Sequence, residues 1–249
     1  MPASNLLRMQ PRYAWRAPDP AAAHLVLDLQ SAVAVNLVAL LFTNASASAT
    51  WRIRAATSEA NLTAAPGYDS GAVTIWPVGV PGLGLSTWRW VDAIAFLAGA
   101  SGPGAQTYRF WRIDIADPSN AAGYFDAGQL IVDAAFQPTR NIAYGWTVRA
   151  TDQAQRIRAA GGQLYPIASG KGRVLRFDLR WGTEAEMMGG VLDIDRLQGS
   201  SRPILAIRNP DRPDLYPAQA VYGLGTVADI TNSRLAIYGR AFEIELLTP

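Results

Sequence analysis

The chain has 249 residues, no cysteine, a single histidine (His24) and a formal net charge of +2. Without cysteine there is no disulfide framework and no Cys/His zinc site, and one histidine leaves little for general acid–base or triad chemistry. The 22 basic residues are nearly balanced by 20 acidic ones, so nothing suggests a general nucleic-acid binder, which would show a dense basic stripe.

Charged residues make up 17% of the chain, against about 25% in an ordinary globular domain. A chain of this size with so few charges must bury a large core or cover surface with partners. Lys171 is the only lysine, so the basic surface is arginine, whose planar fork suits permanent interfaces. Met1-Pro2-Ala3-Ser4-Asn5 lacks the basic region and apolar core of a secretory signal, which predicts synthesis without export. The longest apolar run, Val33–Phe42, is far short of the ~20 residues that span a bilayer, so no membrane insertion is expected.

From the N-terminus onward the signals are those of strands. Leu25, Leu27 and Leu29 alternate with Val26 and Asp28. Trp51, Ile53 and Ala55 alternate with Arg52 and Arg54, and Trp111, Ile113 and Ile115 with Arg112 and Asp114. This period of two puts the apolar set on one face of a sheet and the charges on the other. Val33–Phe42 is nearly all apolar and fits a strand covered on both faces, although a short buried helix has the same pattern. Turn signals separate these runs at 64–67, 79–84, 99–104 and 117–120. Leu130-Ile131-Val132 closes the series, and a boundary is expected near 137–141.

Beyond it, Tyr144–Val148 opens a second series. Leu175, Phe177, Leu179 and Trp181 alternate with Arg176, Asp178 and Arg180. Thr183-Glu184-Ala185-Glu186 has the form of a capping box and predicts one helix near 184–197, stopped by Gly199. Its Gly189-Gly190 pair costs about 1 kcal/mol per glycine, so packing must hold it. Strands are predicted around 204–207, 221–224, Arg234–Tyr238 and Phe242–Leu246. The fold class is therefore mainly all-β, as two sandwich-like or jelly-roll-like domains, 1–137 and 138–249, with one short helix in the second.

Residues that could carry chemistry are few. His24 reads as a surface or strand-end residue, and no Gly-x-Ser-x-Gly elbow accompanies any serine. Gly170-Lys171-Gly172 lacks the upstream glycine and the Ser/Thr of a phosphate loop and reads as a hairpin turn. Asp117, Asn120 and Asp126 could offer oxygens to calcium, but their spacing is not that of an EF-hand loop, and an Asx turn is the simpler reading. No pair of carboxylates is singled out for glycosidase work. Trp76, Trp88 and Trp90 flank a Gly/Pro-rich segment. Trp88 and Trp90, two apart, either fill one face of a strand or, with Trp76, stand exposed, where they would contact a partner subunit or stack on a glycan.

Two resemblances follow from these residues. Tyr13-Ala14-Trp15-Arg16, Leu27-Asp28-Leu29, Leu40-Leu41-Phe42-Thr43-Asn44, Trp51-Arg52-Ile53-Arg54 and Phe110–Ile115 fall in the order of the discoidin or galactose-binding jelly-roll family, over roughly residues 5–136. The rest of the chain resembles tail proteins of long-tailed bacteriophages. That likeness rests on Gly123–Leu130 with Pro138, Asn141 and Tyr144-Gly145-Trp146, then on Phe177–Trp181, the capped helix, Arg202–Leu205, Asn209-Pro210, Val221-Tyr222-Gly223 and Phe242–Leu246.

The second resemblance implies a virion structural protein of the distal-tail or baseplate type, built into the tail tip in the bacterial host cytoplasm. Such a protein forms a symmetric homo-oligomer linking the tail tube to the adsorption apparatus, with tube, hub and fibre proteins as partners. No catalytic residue, cofactor or metal and no specific nucleic-acid binding is expected in that role. The alternative is a carbohydrate-binding module that grips a host surface glycan through Trp76, Trp88 and Trp90.

Overall fold

A computed structural model describes residues 1–249 except 77–89, 100–101, 169, 227, 235–236 and 248–249. The protein is mainly β, with strands over 49% of the residues and helical turns over 13%. It divides into two compact units, Met1–Ala135 together with Asn209–Ala218, and Phe136–Arg208 together with Gln219–Thr248.

The first unit carries strands β1 (Trp15–Ala17), β2 (Ala23–Val35), β3 (Leu37–Thr43), β4 (Thr50–Ala56), β5 (Tyr68–Asp69), β6 (Val73–Thr74), β7 (Val91–Phe96), β8 (Ala98–Gly99), β9 (Gly102–Pro103), β10 (Gln106–Ala116), β11 (Phe125–Ala127) and β12 (Gln129–Asp133). The order β2-β10-β4-β5, with β6 on β4, makes a five-stranded sheet. A second sheet runs β12-β3-β7, and β1-β11 and β8-β9 are small pairs.

The alternation read in the sequence becomes cross-strand rows. Leu25, Ile113 and Ile53 lie in one inward row, and Leu27, Trp111 and Ala55 in the next. These pack with Val38, Leu40, Val91, Ala93 and Leu130 of the second sheet in one buried core, the arrangement of a sandwich. The outward rows are polar. Asp114 joins Arg112 at 2.8 Å and also pairs with Arg54, Arg109 meets Asp28 at 2.7 Å, and Arg52 pairs with Asp69. His24 sits exposed near the start of β2 opposite Asp114.

The apolar run Val33–Phe42 is not one strand. It breaks at Asn36, where the chain leaves β2 and enters β3 in the other sheet. The Asn36 side chain accepts from the Ala135 amide at 2.6 Å, which supplies a polar partner at a crossing the hydrophobic pattern alone does not mark. Every residue of β3 is buried, so both faces of the strand are covered.

The second unit carries β13 (Thr147–Asp152), β14 (Gln155–Arg158), β15 (Leu164–Ile167), β16 (Lys171–Gly182), β17 (Pro203–Ile207), β18 (Ala220–Gly225), β19 (Thr231–Arg234) and β20 (Ile237–Leu246). Its six-stranded sheet runs β13-β16-β20-β18-β17, with β19 on β20, and β14-β15 form a separate two-stranded ribbon. Phe177 and Phe242, directly paired across β16 and β20, stack at 4.9 Å. The run Arg234–Tyr238, expected as a single strand, spans a chain reversal instead: Arg234 pairs with Ile237, and 235–236 lie outside the described residues.

The expected helix is present and its capping box forms in both directions. The Thr183 amide donates to Glu186 Oε2 at 2.8 Å, and the Glu186 amide donates to Thr183 Oγ1 at 3.3 Å. The helix starts at Glu184, widens into a π-type turn over Glu186–Val191 and continues as an α-helix over Leu192–Gln198. Met187 and Val191 are buried against Leu179 and Phe242, so packing holds the glycine-bearing turn. Single helical turns also occur at Asn61–Ala64 and Tyr216–Gln219.

Candidate functional site

Of the three tryptophans singled out by the sequence, Trp76 is half buried. It packs against the core of the first unit, and its indole N–H donates to the Ala45 carbonyl at 3.2 Å. Trp90 is also half buried, immediately before β7, and Trp88 lies outside the described residues. The structure therefore fixes Trp76 by one hydrogen bond and by packing against the core.

The three oxygen donors considered for calcium separate into two groups. Asp117 is fully buried and accepts from the Ser46 amide at 2.9 Å, the Asn120 side chain at 2.9 Å and the Ser46 hydroxyl. Asp126 faces Arg16, which donates to both carboxylate oxygens at 2.7 and 2.6 Å while lying 3.7 Å over the Tyr124 ring. Between them Asn44 accepts from the Asp126 amide at 2.7 Å and donates to the Tyr124 carbonyl at 3.0 Å. These carboxylates are aimed at protein donors, which is what a buried charge requires. Among the described residues no three His, Cys, Asp or Glu side chains group as a metal site. Gly170-Lys171-Gly172 is not a turn either. Lys171 and Gly172 are already rungs of β16, paired with Asp152 and Thr151.

The most distinctive surface feature lies in the second unit, and the sequence reading missed it. Strands β13 and β16 are prolonged by β14 and β15 past an irregularity at 153–154, where the Gln153 amide donates to the Gly170 carbonyl at 3.3 Å. The ribbon then pairs Gln155 with Ile167, Arg156 with Pro166, Ile157 with Tyr165 and Arg158 with Leu164. A tight turn closes it. The Ala159 amide donates to the Gln163 carbonyl at 2.9 Å, and Gly162 takes a φ of +82°, which glycine adopts without strain. Every residue of β14 and β15 is exposed, so the ribbon is an arm of about 14 Å at ~3.4 Å per rung.

The arm is amphipathic. Ile157, Tyr165 and Ile167 fall on one face, about half exposed each, and Arg156, Arg158 and Leu164 fall on the other. An isolated two-stranded hairpin is marginal in water, and one that turns large apolar side chains to solvent needs a covering surface. The signal was present as the alternation Gln155-Arg156-Ile157-Arg158 and Leu164-Tyr165-Pro166-Ile167 around Gly161-Gly162.

A scan against protein-family models gave no match, and a search of curated proteins found none similar to this chain. Among the described residues no helix is long and apolar enough to cross a membrane.

Proposed function

We propose that this protein is a structural component of a phage tail tip, of the distal-tail or baseplate type, working as a symmetric oligomer between tail tube and adsorption apparatus. The observation that carries this reading is the arm Gln155–Ile167, an ordered ribbon that leaves Ile157, Tyr165 and Ile167 about half exposed in their own chain. Two β units with few charges supply surfaces for neighbours, and the resemblance of the second half to tail proteins supports a place in that assembly. The role is mechanical. Subunits bury complementary faces around an axis, and closed symmetry sets the copy number. The test is mass spectrometry and imaging of gradient-purified virions, in which the protein is expected at a fixed low copy number. Its absence from virions overturns the proposal.

A second reading, binding of a host glycan, has one specific support. Trp76 is half buried and held in orientation by Ala45, and a preorganised aromatic side chain suits stacking on a sugar ring. A glycan array probed with the whole protein tests it, and a blank array removes it.

A further inference from the structure

The helix of the second unit presents a surface complementary to the arm. Glu184, Met188, Asp193 and Leu197 are all exposed, at spacings of four, five and four residues. The five-residue step falls across the wide turn Glu186–Val191, which takes up the extra residue, so the four follow one stripe of the helix. Trp181, 43% exposed at the end of β16, adds an aromatic side chain beside the helix start, and Leu197 is 68% exposed. Charges match as well. Segment 147–172 carries Arg149, Arg156, Arg158 and Lys171 against Asp152, while segment 181–198 carries Glu184, Glu186, Asp193 and Asp195 against Arg196.

Two of those acids are engaged at home: Glu186 in the helix cap and Asp195 with Arg240. The two on the stripe are open to a partner. Glu184 has no ion pair among the described residues, and Asp193 meets Arg196 only at 3.5 Å, between two side chains more than half exposed. A contact of that kind is weak and easily exchanged. Both surfaces are exposed in their own chain, so neither covers the other within one molecule.

We infer that the arm of one molecule docks on the helix stripe of a second copy of this chain, a step that rests on the assembly role proposed above. Ile157, Tyr165 and Ile167 seat against Trp181, Met188 and Leu197 of the neighbour. Arg156 and Arg158 reach round the edge of the ribbon to Glu184 and Asp193, so charged contacts alternate with apolar ones along the stripe. Because the two surfaces differ, the contact is head-to-tail. It closes into a ring if the rotation permits and otherwise builds a filament.

Charge reversal tests this, read by sedimentation velocity and light scattering of the purified full chain. Arg156→Glu with Arg158→Glu, and separately Glu184→Arg with Asp193→Arg, are each expected to weaken self-association on the order of a hundredfold. All four substitutions are at exposed positions, and circular dichroism with thermal melting is expected to leave fold and melting temperature unchanged. Mixing the two variants, or combining all four changes in one chain, is expected to restore assembly, since an acidic arm then meets a basic stripe. A wild-type monomer at the highest attainable concentration, an oligomer that survives either reversal, or a quadruple variant that stays monomeric overturns the inference. Presence in virions together with indifference to reversal removes only this contact; absence from virions removes the tail-tip reading itself.

Discussion

Arg240 is 4% exposed, yet it carries a full charge. Its guanidinium pairs with Asp195, donates to the Thr226 carbonyl at 3.2 Å and lies 4.3 Å from the Phe242 ring centre, while Nε has no partner among the described residues. Removing one member of a buried pair leaves the other uncompensated. Asp195→Ala is therefore expected to cost about 3 kcal/mol in urea unfolding, and Arg240→Met, which removes the buried cation itself, clearly less. A smaller loss for Asp195→Ala than for Arg240→Met contradicts this. Other carboxylates govern the response to acid. Asp28, bonded by Arg109, and Asp69, bonded by Arg52, are both held at about 2. Glu186 is also held at about 2, by the side chain of Thr139 and then by the amides of Thr183 and Thr139. Each folded value lies below its unfolded one, so the stabilisation is complete above about pH 4 and disappears as pH falls to about 2. The melting temperature is expected to drop across that window, and Asp69→Asn or Glu186→Gln to flatten the drop.

The capped helix is the element where sequence and structure agree most closely, because Thr183 and Glu186 settle their own geometry locally. Gly190 within it has a reason that propensity does not supply: a Cβ there would lie 2.3 Å from the Phe136 ring. Gly190→Ala, which by propensity alone would stabilise by about 1 kcal/mol, is instead expected to lower the melting temperature. A higher melting temperature would contradict that packing account. The strands at 25–29, 51–55 and 111–115 were legible because each has a polar outer face and an apolar inner one. Three other stretches were not, each for a physical cause. Val33–Phe42 changes sheet at Asn36, whose partner at Ala135 is remote in sequence. Arg234–Tyr238 hides a reversal between strands of similar composition. The arm alternates as other strands do, but its apolar face is exposed in the fold, so the expectation of burial could not single it out. Of the candidate site, the tryptophans were legible as residues, whereas the pairing that builds the arm became visible only in the fold. Pro166 has the further effect of removing a backbone donor from the β15 edge, which makes that edge a poor template for another strand.

At the scale of the molecule, the first unit is not a continuous stretch of chain, because it includes Asn209–Ala218. Within that segment the Tyr216 hydroxyl donates to the Pro210 carbonyl at 2.6 Å, and its ring meets Phe96 edge-on at 6.4 Å between centroids. Burial pushes the Tyr216 phenol up to about 12, in keeping with a side chain 5% exposed. Tyr216→Ala is expected to destabilise the first unit by about 3 kcal/mol and to raise amide hydrogen exchange in Val91–Phe96. Unchanged exchange in that strand would show that the segment contributes nothing to it. The same arrangement bears on how the protein is made. A ribosome releases the N-terminal half first, and a self-contained domain could mature at that moment. This one must wait, incomplete, until Asn209–Ala218 has been translated as well.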